Sequence, residues 1–472
     1  MKIYFVASEA VPFVKTGGLG DVSGTLPLHL RKIGLEVNLI LPLYKQIQEA
    51  NYSLEKLFSS EIIFGDHLLP YSVYRQENTF FIKQDDLYNR REIYNTPSGD
   101  YPDNNLRFAF FSLEALELIN QLGGADIIHV HDWQTALLPV YKSIYYPNNP
   151  EKVILTIHNL AYQGIFTAET VPMINIPPNY YSLESLEFYG KVNYLKGGII
   201  YSDYLTTVSP TYAQEIQTEP YGFALEGVIT KRRKNLRGII NGIDYDYWNP
   251  ETDPHITINY GEDSVFQKKE NKKHLLAELK TGCSIEYPLL AFVGRLVSQK
   301  GIDIIIEIAD QLPNLPANLI ILGKGEKKYE EEIKARALRH PNNIIAITTF
   351  DEVLSRKIYA SSDFFLMPSQ FEPCGLGQLI ALKYGSVPIV RKTGGLKDTI
   401  QDYHDKTACG NGITFENQDA EELMDSIKRA LLYFPGESYI NMQNIGMKGD
   451  FSWNSSAREY SSLYRQLTKN KE

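Results

Sequence analysis

The sequence predicts an α/β fold of two Rossmann-like, doubly wound domains that face a cleft. Three observations carry that expectation. The chain has 472 residues, too many for one hydrophobic core and enough for about two or three domains. Short β-rich apolar runs alternate with helical patterns in both halves, as in βα units around a parallel sheet. An octapeptide near the N-terminus, "KTGGLGDV" at 15–22, returns as "KTGGLKDT" at 392–399 with six of eight positions identical.

In the first half the strand candidates are 2–8, 36–42, 126–131, 152–158, 204–209 and 236–241. Apolar spacing of three and four residues predicts helices over 26–34 and 106–123. Residues 86–105 form a long polar stretch rich in turn formers, of the kind that is usually functional or mobile inside a compact domain. Pro, Asp and Asn crowd together over 241–255 and mark a break. After it the alternation restarts, with strands at 287–294, 317–323, 343–349, 363–369, 386–392 and 411–415. Helices are expected at 301–312 and 419–434, and a terminal helix over 453–470 follows an Asn or Ser cap.

Composition excludes several classes. A formal net charge of −10 argues against a broad nucleic-acid or anionic-membrane surface, so an anionic ligand must meet a local cluster of cations. The apolar run at the N-terminus is shorter than a signal peptide needs, and no run reaches the roughly 20 apolar residues of a spanning helix. Three dispersed cysteines, Cys283, Cys374 and Cys409, fit a reducing compartment and form neither a disulfide framework nor a Cys-rich metal site. A cytoplasmic protein is expected. The 32 tyrosines suit wet clefts and sugar faces, but they equally follow from a bias toward Ile, Asn, Lys and Tyr.

Polar residues of chemical interest fall where strand runs end. His131 and Asp132 follow "DIIHV", His158 and Asn159 follow "VILTI", and Asn241 follows "RGII". In the second half Arg295, the Gly323–Gly325 turn and the segment from Ser369 to Glu372 occupy the same position. In open α/β sheets ligands bind beyond these carboxyl ends. Both octapeptides follow a strand and lead into a helix, where glycines let backbone N–H groups approach a ligand. The first copy fits no dinucleotide fingerprint, because Ser23 stands where the third glycine is required, and there is no P-loop. The second half is more specific. Arg295 and Lys300, five residues apart at a strand end, combine a guanidinium fork with an ammonium, a pairing suited to a diphosphate. Glu372 sits in a Pro-Cys-Gly turn, and Gly375 and Gly377 open the next helix with free N–H donors.

Together, "KTGGLGDVSGTLP", "HDWQTALLP", "HNLAYQGIF", "NGID", "VGRLVSQKG", "PSQFEPCGLGQLIALKYG" and "VRKTGGLKDT" resemble the bacterial glycogen synthase and plant starch synthase family, across nearly the whole chain and in the family's order. The resemblance implies the GT-B glycosyltransferase fold. Its first domain would span 1–243 and be joined by the C-terminal helix 451–472, with a nucleotide-sugar-binding domain over 244–450. It implies retaining transfer of glucose from ADP-glucose to the non-reducing end of an α-1,4-glucan, with no cofactor or metal. By the same resemblance Lys15 contacts the sugar nucleotide, Arg295 and Lys300 clamp the diphosphate, and Glu372 holds the glucosyl hydroxyls. His158 stands beside the donor glucose, Asp132 and Asn241 line the glucosyl site, Asn159 belongs to the substrate-binding set, and Tyr94 is an acceptor-side aromatic. Gly17, Gly18 and Asp21 of the first octapeptide belong to the substrate-binding set. So do Cys374, Gly375, Leu376 and Gly377, the last three through backbone contacts to phosphate and ribose.

Departures narrow the assignment. Ile380 stands where many retaining transferases carry a second Glu, which the synthases of this family also lack. Phe350 replaces an adenine-side Tyr, which leaves UDP-glucose as an alternative donor, and Gly377 replaces a Thr common in bacterial relatives. A catalytically silent glucan-binding protein on the same scaffold is the alternative from another class. Oligomeric state is not legible.

Overall fold

Alternate residues of each strand in the second half feed opposite faces of one sheet. Leu290, Phe292, Leu319 and Ile321 enter one apolar cluster, whereas Leu289, Ala291, Ile320 and Leu322 enter another. With both faces covered, the strands read as continuous apolar runs rather than alternations. Each fully buried Leu or Ile contributes about 1.5–3 kcal/mol by leaving water.

The computed structural model describes residues 1–96 and 99–469. Pro97 and Ser98 of the polar stretch 86–105, and residues 470–472 of the expected C-terminal segment 451–472, lie outside the described residues. The chain forms two units, one from Met1–Ile239 with the C-terminal helix Trp453–Thr468, the other from Ile240–Ser452. Asn241 therefore belongs to the second unit.

The first unit is built on a nine-stranded sheet. Its strands are β1 (Lys2–Val6), β2 (Glu36–Pro42), β3 (Glu55–Phe64), β4 (His67–Gln76), β5 (Thr79–Lys83), β6 (Ile127–His131), β7 (Lys152–Ile157), β8 (Tyr204–Thr207) and β9 (Leu236–Gly238). The spatial order is β9-β8-β7-β6-β1-β2-β5-β4-β3. Strands β9 through β5 in that order pair in parallel, while β4 and β3 add an antiparallel extension. Sequence reading placed no strand between 42 and 126 and so missed β3, β4 and β5. Strands β3 and β4 are half-exposed and mix polar with apolar residues, and two-residue turns join them to each other and β4 to β5.

Helix α1 (Gly18–Lys32) begins eight residues before the expected start at 26. The run "GLGDVSG" has poor intrinsic helix propensity, and packing overrides it. At Gly24 a Cβ would lie 2.3 Å from the Val11 carbonyl oxygen, so glycine lets the loop after β1 lie directly on the helix. Helix α2 (Asn104–Gln121) matches its expectation closely. The C-terminal helix is tied to the sheet by Tyr464, whose hydroxyl meets His129 Nδ1 on β6 at 2.8 Å.

The second unit has six parallel strands: β10 (Leu289–Val293), β11 (Asn318–Leu322), β12 (Ile344–Ile347), β13 (Phe364–Met367), β14 (Val387–Arg391) and β15 (Ile413–Phe415). Their order is β12-β11-β10-β13-β14-β15. The progression reverses between β10 and β13, so the loops after these strands diverge and leave a crevice at their carboxyl ends. Segment 241–255, the expected break, is anchored within this unit. Asp253 is buried and accepts from Arg356 at 3.1 Å, and the Arg356 guanidinium stacks on Tyr247 and Trp248.

Candidate active site

In the first unit the loop after β1 folds around a carboxylate. Glu9, 3% exposed, accepts from the backbone N–H of Thr16, from Thr16 Oγ1 at 3.0 Å and from the Gly17 N–H at 3.3 Å. Tyr94 reaches the same group at 3.3 Å, and its hydroxyl shares a 2.7 Å hydrogen bond with Ser8. Burial raises the Glu9 pKa, while the bonds from Thr16, Gly17 and Tyr94 pull it the other way. Two of the octapeptide's N–H groups are thus turned inward, contrary to the expectation that they would face a ligand. Gly17 instead offers open space, since a Cβ there would meet nothing within 4 Å, and Gly18 opens α1. Lys15 stays exposed and pairs with Asp21 at 2.8 Å. Tyr94 is half-buried with its hydroxyl engaged, so only its ring can face a ligand.

After β6 and β7 a second cluster forms. Asp132 adopts φ +54°, a left-handed conformation uncommon outside glycine, of the sort concentrated at functional sites. This turns its carboxylate onto the next strand end, where Oδ1 accepts from the His158 N–H at 2.7 Å and the Asn159 N–H also points to the group. Burial pushes the Asp132 pKa up to about 7 against those bonds. The Asn159 side chain closes its own turn by accepting from the Ala161 N–H at 3.0 Å. The His158 ring meets His131, Nε2 to Nδ1, at 3.0 Å.

Behind them His129 is fully buried between Tyr464 and Thr156, the latter 2.6 Å from its Nε2. Burial lowers its pKa to about 3. The sign follows directly. Between about pH 3 and 6.5 the unfolded chain protonates His129 and the folded one does not, so this residue's contribution is lost as pH falls. The stability gap between wild type and His129→Gln is expected to narrow by about 2–3 kcal/mol from about pH 7 to about pH 4.5. Denaturant midpoints at the two pH values check this, and a constant gap contradicts it.

In the second unit the loops after β10 and β13 meet at the switch point. Lys300 Nζ donates to Glu372 Oε2 at 2.6 Å, and Ser369 Oγ donates to the same oxygen at 3.0 Å. Glu372 is 5% exposed. Arg295, after β10, is exposed and has no acidic partner among the described residues. Helix α3 (Ile302–Ala309) follows Lys300, and α4 (Gly377–Lys383) follows the Glu372 turn. The backbone N–H groups of Gly375, Leu376 and Gly377 donate to no acceptor among the described residues. Gln378 fixes their turn, its Nε2 donating to the carbonyls of Cys374 and Gly375 at 3.0 Å each. A Cβ at Gly377 would lie 3.1 Å from the Phe365 ring, so the aromatic packing of Phe365 on Tyr359 takes up room that a Thr would need. Leu376 packs on the core below.

The second octapeptide runs into α5 (Gly394–Thr399) and wraps the same turn. The Gly395 N–H donates to the Glu372 carbonyl at 3.0 Å. Gly394 has φ +43°, and a Cβ there would sit 2.0 Å from that carbonyl oxygen. Both copies therefore wrap a glutamate, the first around the Glu9 side chain and the second around the Glu372 backbone. Gly394→Ala is expected to cost at least about 1–3 kcal/mol and to displace Glu372. An unchanged melting temperature together with unchanged activity would contradict this.

Burial pushes the Cys374 thiol up to about 12, with the Asn241 N–H bonded to it, so the sulfur packs and does not react. The Asn241 side-chain oxygen is buried without a partner among the described residues. Phe350, beyond β12, is 82% exposed, with its ring face free for stacking. Sequence reasoning missed Ser8, Glu9 and Gln378, and it placed Ser369 and His131 at strand ends without giving either a role. The strand-end rule that found Asp132 also covers Ser8 and Glu9. Among the described residues no helix is long and apolar enough to cross a membrane, and no group of three or more His, Cys, Asp or Glu could hold a metal ion.

A guanidinium and three N–H groups without partners among the described residues, together with a lysine–glutamate pair, stand at the switch point of a doubly wound sheet and have the chemistry that an anionic, hydroxyl-bearing ligand needs. Residues 2–231 match the starch synthase catalytic domain, and residues 280–440 match glycosyl transferases group 1. The chain is 42% identical over 480 residues to glycogen synthase of Syntrophotalea carbinolica, covering 99% of both chains. It is 42% identical over 502 residues to glycogen synthase of Thermodesulfovibrio yellowstonii, covering 100% of this chain and 99% of the relative. The catalytic domain of starch synthase IV from Arabidopsis thaliana, solved with ADP and acarbose bound, superimposes with a TM-score of 0.91 at 35% identity, covering 99% of each. The fold and the site define a GT-B glycosyltransferase. Within that class, the chain belongs to the glycogen synthase and starch synthase family.

Proposed function

We propose that this enzyme transfers glucose from ADP-glucose to the non-reducing end of an α-1,4-glucan, with retention of configuration and release of ADP. The observation that carries the reading is the exposed Arg295, without an acidic partner among the described residues, in the same loop after β10 that carries Lys300 of the Lys300–Glu372 pair. A diphosphate supplies the anion that Arg295 lacks and draws Lys300 partly away from Glu372. The freed carboxylate then accepts from glucosyl hydroxyls. The N–H groups of Gly375, Leu376 and Gly377 take the distal phosphate and ribose, and the Phe350 ring stacks on adenine.

As the bond from C1 to the β-phosphate oxygen breaks, its electron pair stays on ADP, and the cations stabilise that growing charge. The acceptor 4-hydroxyl attacks C1 on the same face and passes its proton to the departing phosphate, which gives retention without a carboxylate nucleophile. Lys15 contributes a further ammonium by exchanging Asp21 for the donor. Gly17, Gly18 and Asp21 line that approach. His158, Asn159, Asp132 and Asn241 surround the glucosyl group, and the Tyr94 ring faces the glucan. In this reading the unit of residues 1–239 with the terminal helix is the acceptor domain, the unit of 240–452 is the nucleotide-sugar domain, with the boundary a few residues before the expected 243, and the enzyme works in the cytoplasm.

The ADP and acarbose bound to the Arabidopsis relative support this donor and an oligosaccharide acceptor. Phe350 lacks a hydroxyl that would mark adenine, which keeps UDP-glucose as the second reading. Nucleoside diphosphate release, measured from ADP-glucose and UDP-glucose with and without glycogen, separates them. Release is expected to depend on glycogen and to be faster from ADP-glucose. Faster release from UDP-glucose overturns the donor assignment, and no release from either leaves a glucan-binding protein.

A further inference from the structure

We propose that His131 is a positioning residue that sets the tautomer of His158, so that His158 presents a neutral Nδ1–H to the sugar site. The inference rests on the proposed placement of His158 beside the donor glucose, but its geometry stands independently. His131 is fully buried at the end of β6, its ring 4.4 Å from that of His129 and 5.2 Å from that of Phe5. Its backbone is clamped by Thr135, whose Oγ1 lies 2.7 Å from the His131 nitrogen and 2.8 Å from its carbonyl oxygen. Among the described residues the ring has one polar contact, Nδ1 to His158 Nε2 at 3.0 Å, and its buried Nε2 has no partner.

Burial holds both rings neutral, His158 at about 3 and His131 well below the usual histidine value. One hydrogen therefore lies between them, and two arrangements are open. If His158 donated it, His131 would carry its own hydrogen on Nε2, an N–H orphaned in an apolar wall. If His131 donates, its Nε2 is a bare lone pair, and unsatisfied buried acceptors are tolerated better than orphaned N–H groups. The second arrangement wins. His158 then accepts at Nε2 and carries its hydrogen on Nδ1, which has no partner among the described residues in a half-buried side chain.

The next residue completes the device. Asp132 holds the His158 backbone N–H at 2.7 Å, so two consecutive residues fix the main chain and the ring of a single histidine. A neutral N–H donor suits a sugar hydroxyl oxygen. It would also avoid placing a full positive charge beside a glucosyl group that becomes oxocarbenium-like.

The experiment labels the histidines of the full chain with 15N and records long-range 1H–15N correlations at neutral pH, with His158 assigned by its loss in His158→Gln. The expected result is His158 protonated on Nδ1 in the wild type. Asn places its side-chain amide N–H where His131 Nδ1 sits, so His131→Asn is expected to keep this form, while His131→Phe shifts it toward Nε2–H. In parallel, kcat of His131→Phe should fall roughly 10–100-fold with KM for ADP-glucose unchanged, as for other groups that orient a functional histidine, and His131→Asn should recover most of it. An Nε2–H His158 in the wild type overturns the proposal, as do Asn and Phe variants that behave alike. If the Phe variant fails to fold, the wild-type tautomer and the Asn variant decide. Full turnover in His158→Ala removes the sugar-site role of His158 and leaves the tautomer result standing.

Discussion

Turnover of Arg295→Ala is expected to fall by about 10²-fold or more, with the fold intact. Arg295 is exposed and makes no ion pair among the described residues, so its removal uncovers no buried charge. What it removes, in the proposed reading, is a fork of donors carried at the end of β10 that meets charge growing on the leaving diphosphate. Donors that meet such charge in the transition state lower the barrier, which is why losing one is expensive. Arg295→Lys should recover only part of the rate, because an ammonium cannot reproduce bidentate contact. Steady-state kinetics with saturating glycogen, run beside a thermal melt, make the measurement. A variant with near-wild-type turnover contradicts the clamp.

Glu372→Gln is expected to separate two functions that the resting site couples. Glu372 and Lys300 are paired at 2.6 Å, so each holds the other in place before substrate arrives. Gln keeps the size of the side chain and can keep the contact with Ser369, but it releases the ammonium. Turnover should fall roughly 10²-fold, since a charged acceptor for the glucosyl hydroxyls is lost. ADP affinity should hold or rise, because Lys300 is then free for phosphate. Lys300→Ala should do the reverse to ADP and weaken it. Calorimetric titration of ADP into both variants checks the contrast, and equal weakening in the two would show that Glu372 serves only as the partner of Lys300. Ala at 372 is the poorer test, because it leaves the partly buried Lys300 without a counter-charge.

The parallel cores were legible because strands buried on both faces, such as "LLAFV" and "NLIIL", leave unbroken apolar runs. The β3–β4 extension was not, since one half-exposed face dilutes its pattern with Glu, Lys, Ser and Tyr. The start of α1 was hidden by glycines that weaken helix propensity yet serve packing against Val11. For the site, the strand-end rule located Asp132, His158, Arg295 and Glu372, because chain direction alone brings those positions to one edge of each sheet. It could not show that Lys300 and Glu372 would pair, or that Glu9 would take up the N–H groups of Thr16 and Gly17. Those contacts depend on side-chain direction across loops distant in sequence.

A short acceptor tests glucosyl transfer from ADP-glucose to a glucan end most directly. Maltotriose incubated with ADP-glucose and the enzyme is predicted to lengthen by single α-1,4-linked glucose units at its non-reducing end, with one ADP released per unit added. Free glucose in place of elongation, a new β-linkage, or an unchanged trisaccharide while UDP-glucose supports growth would contradict it.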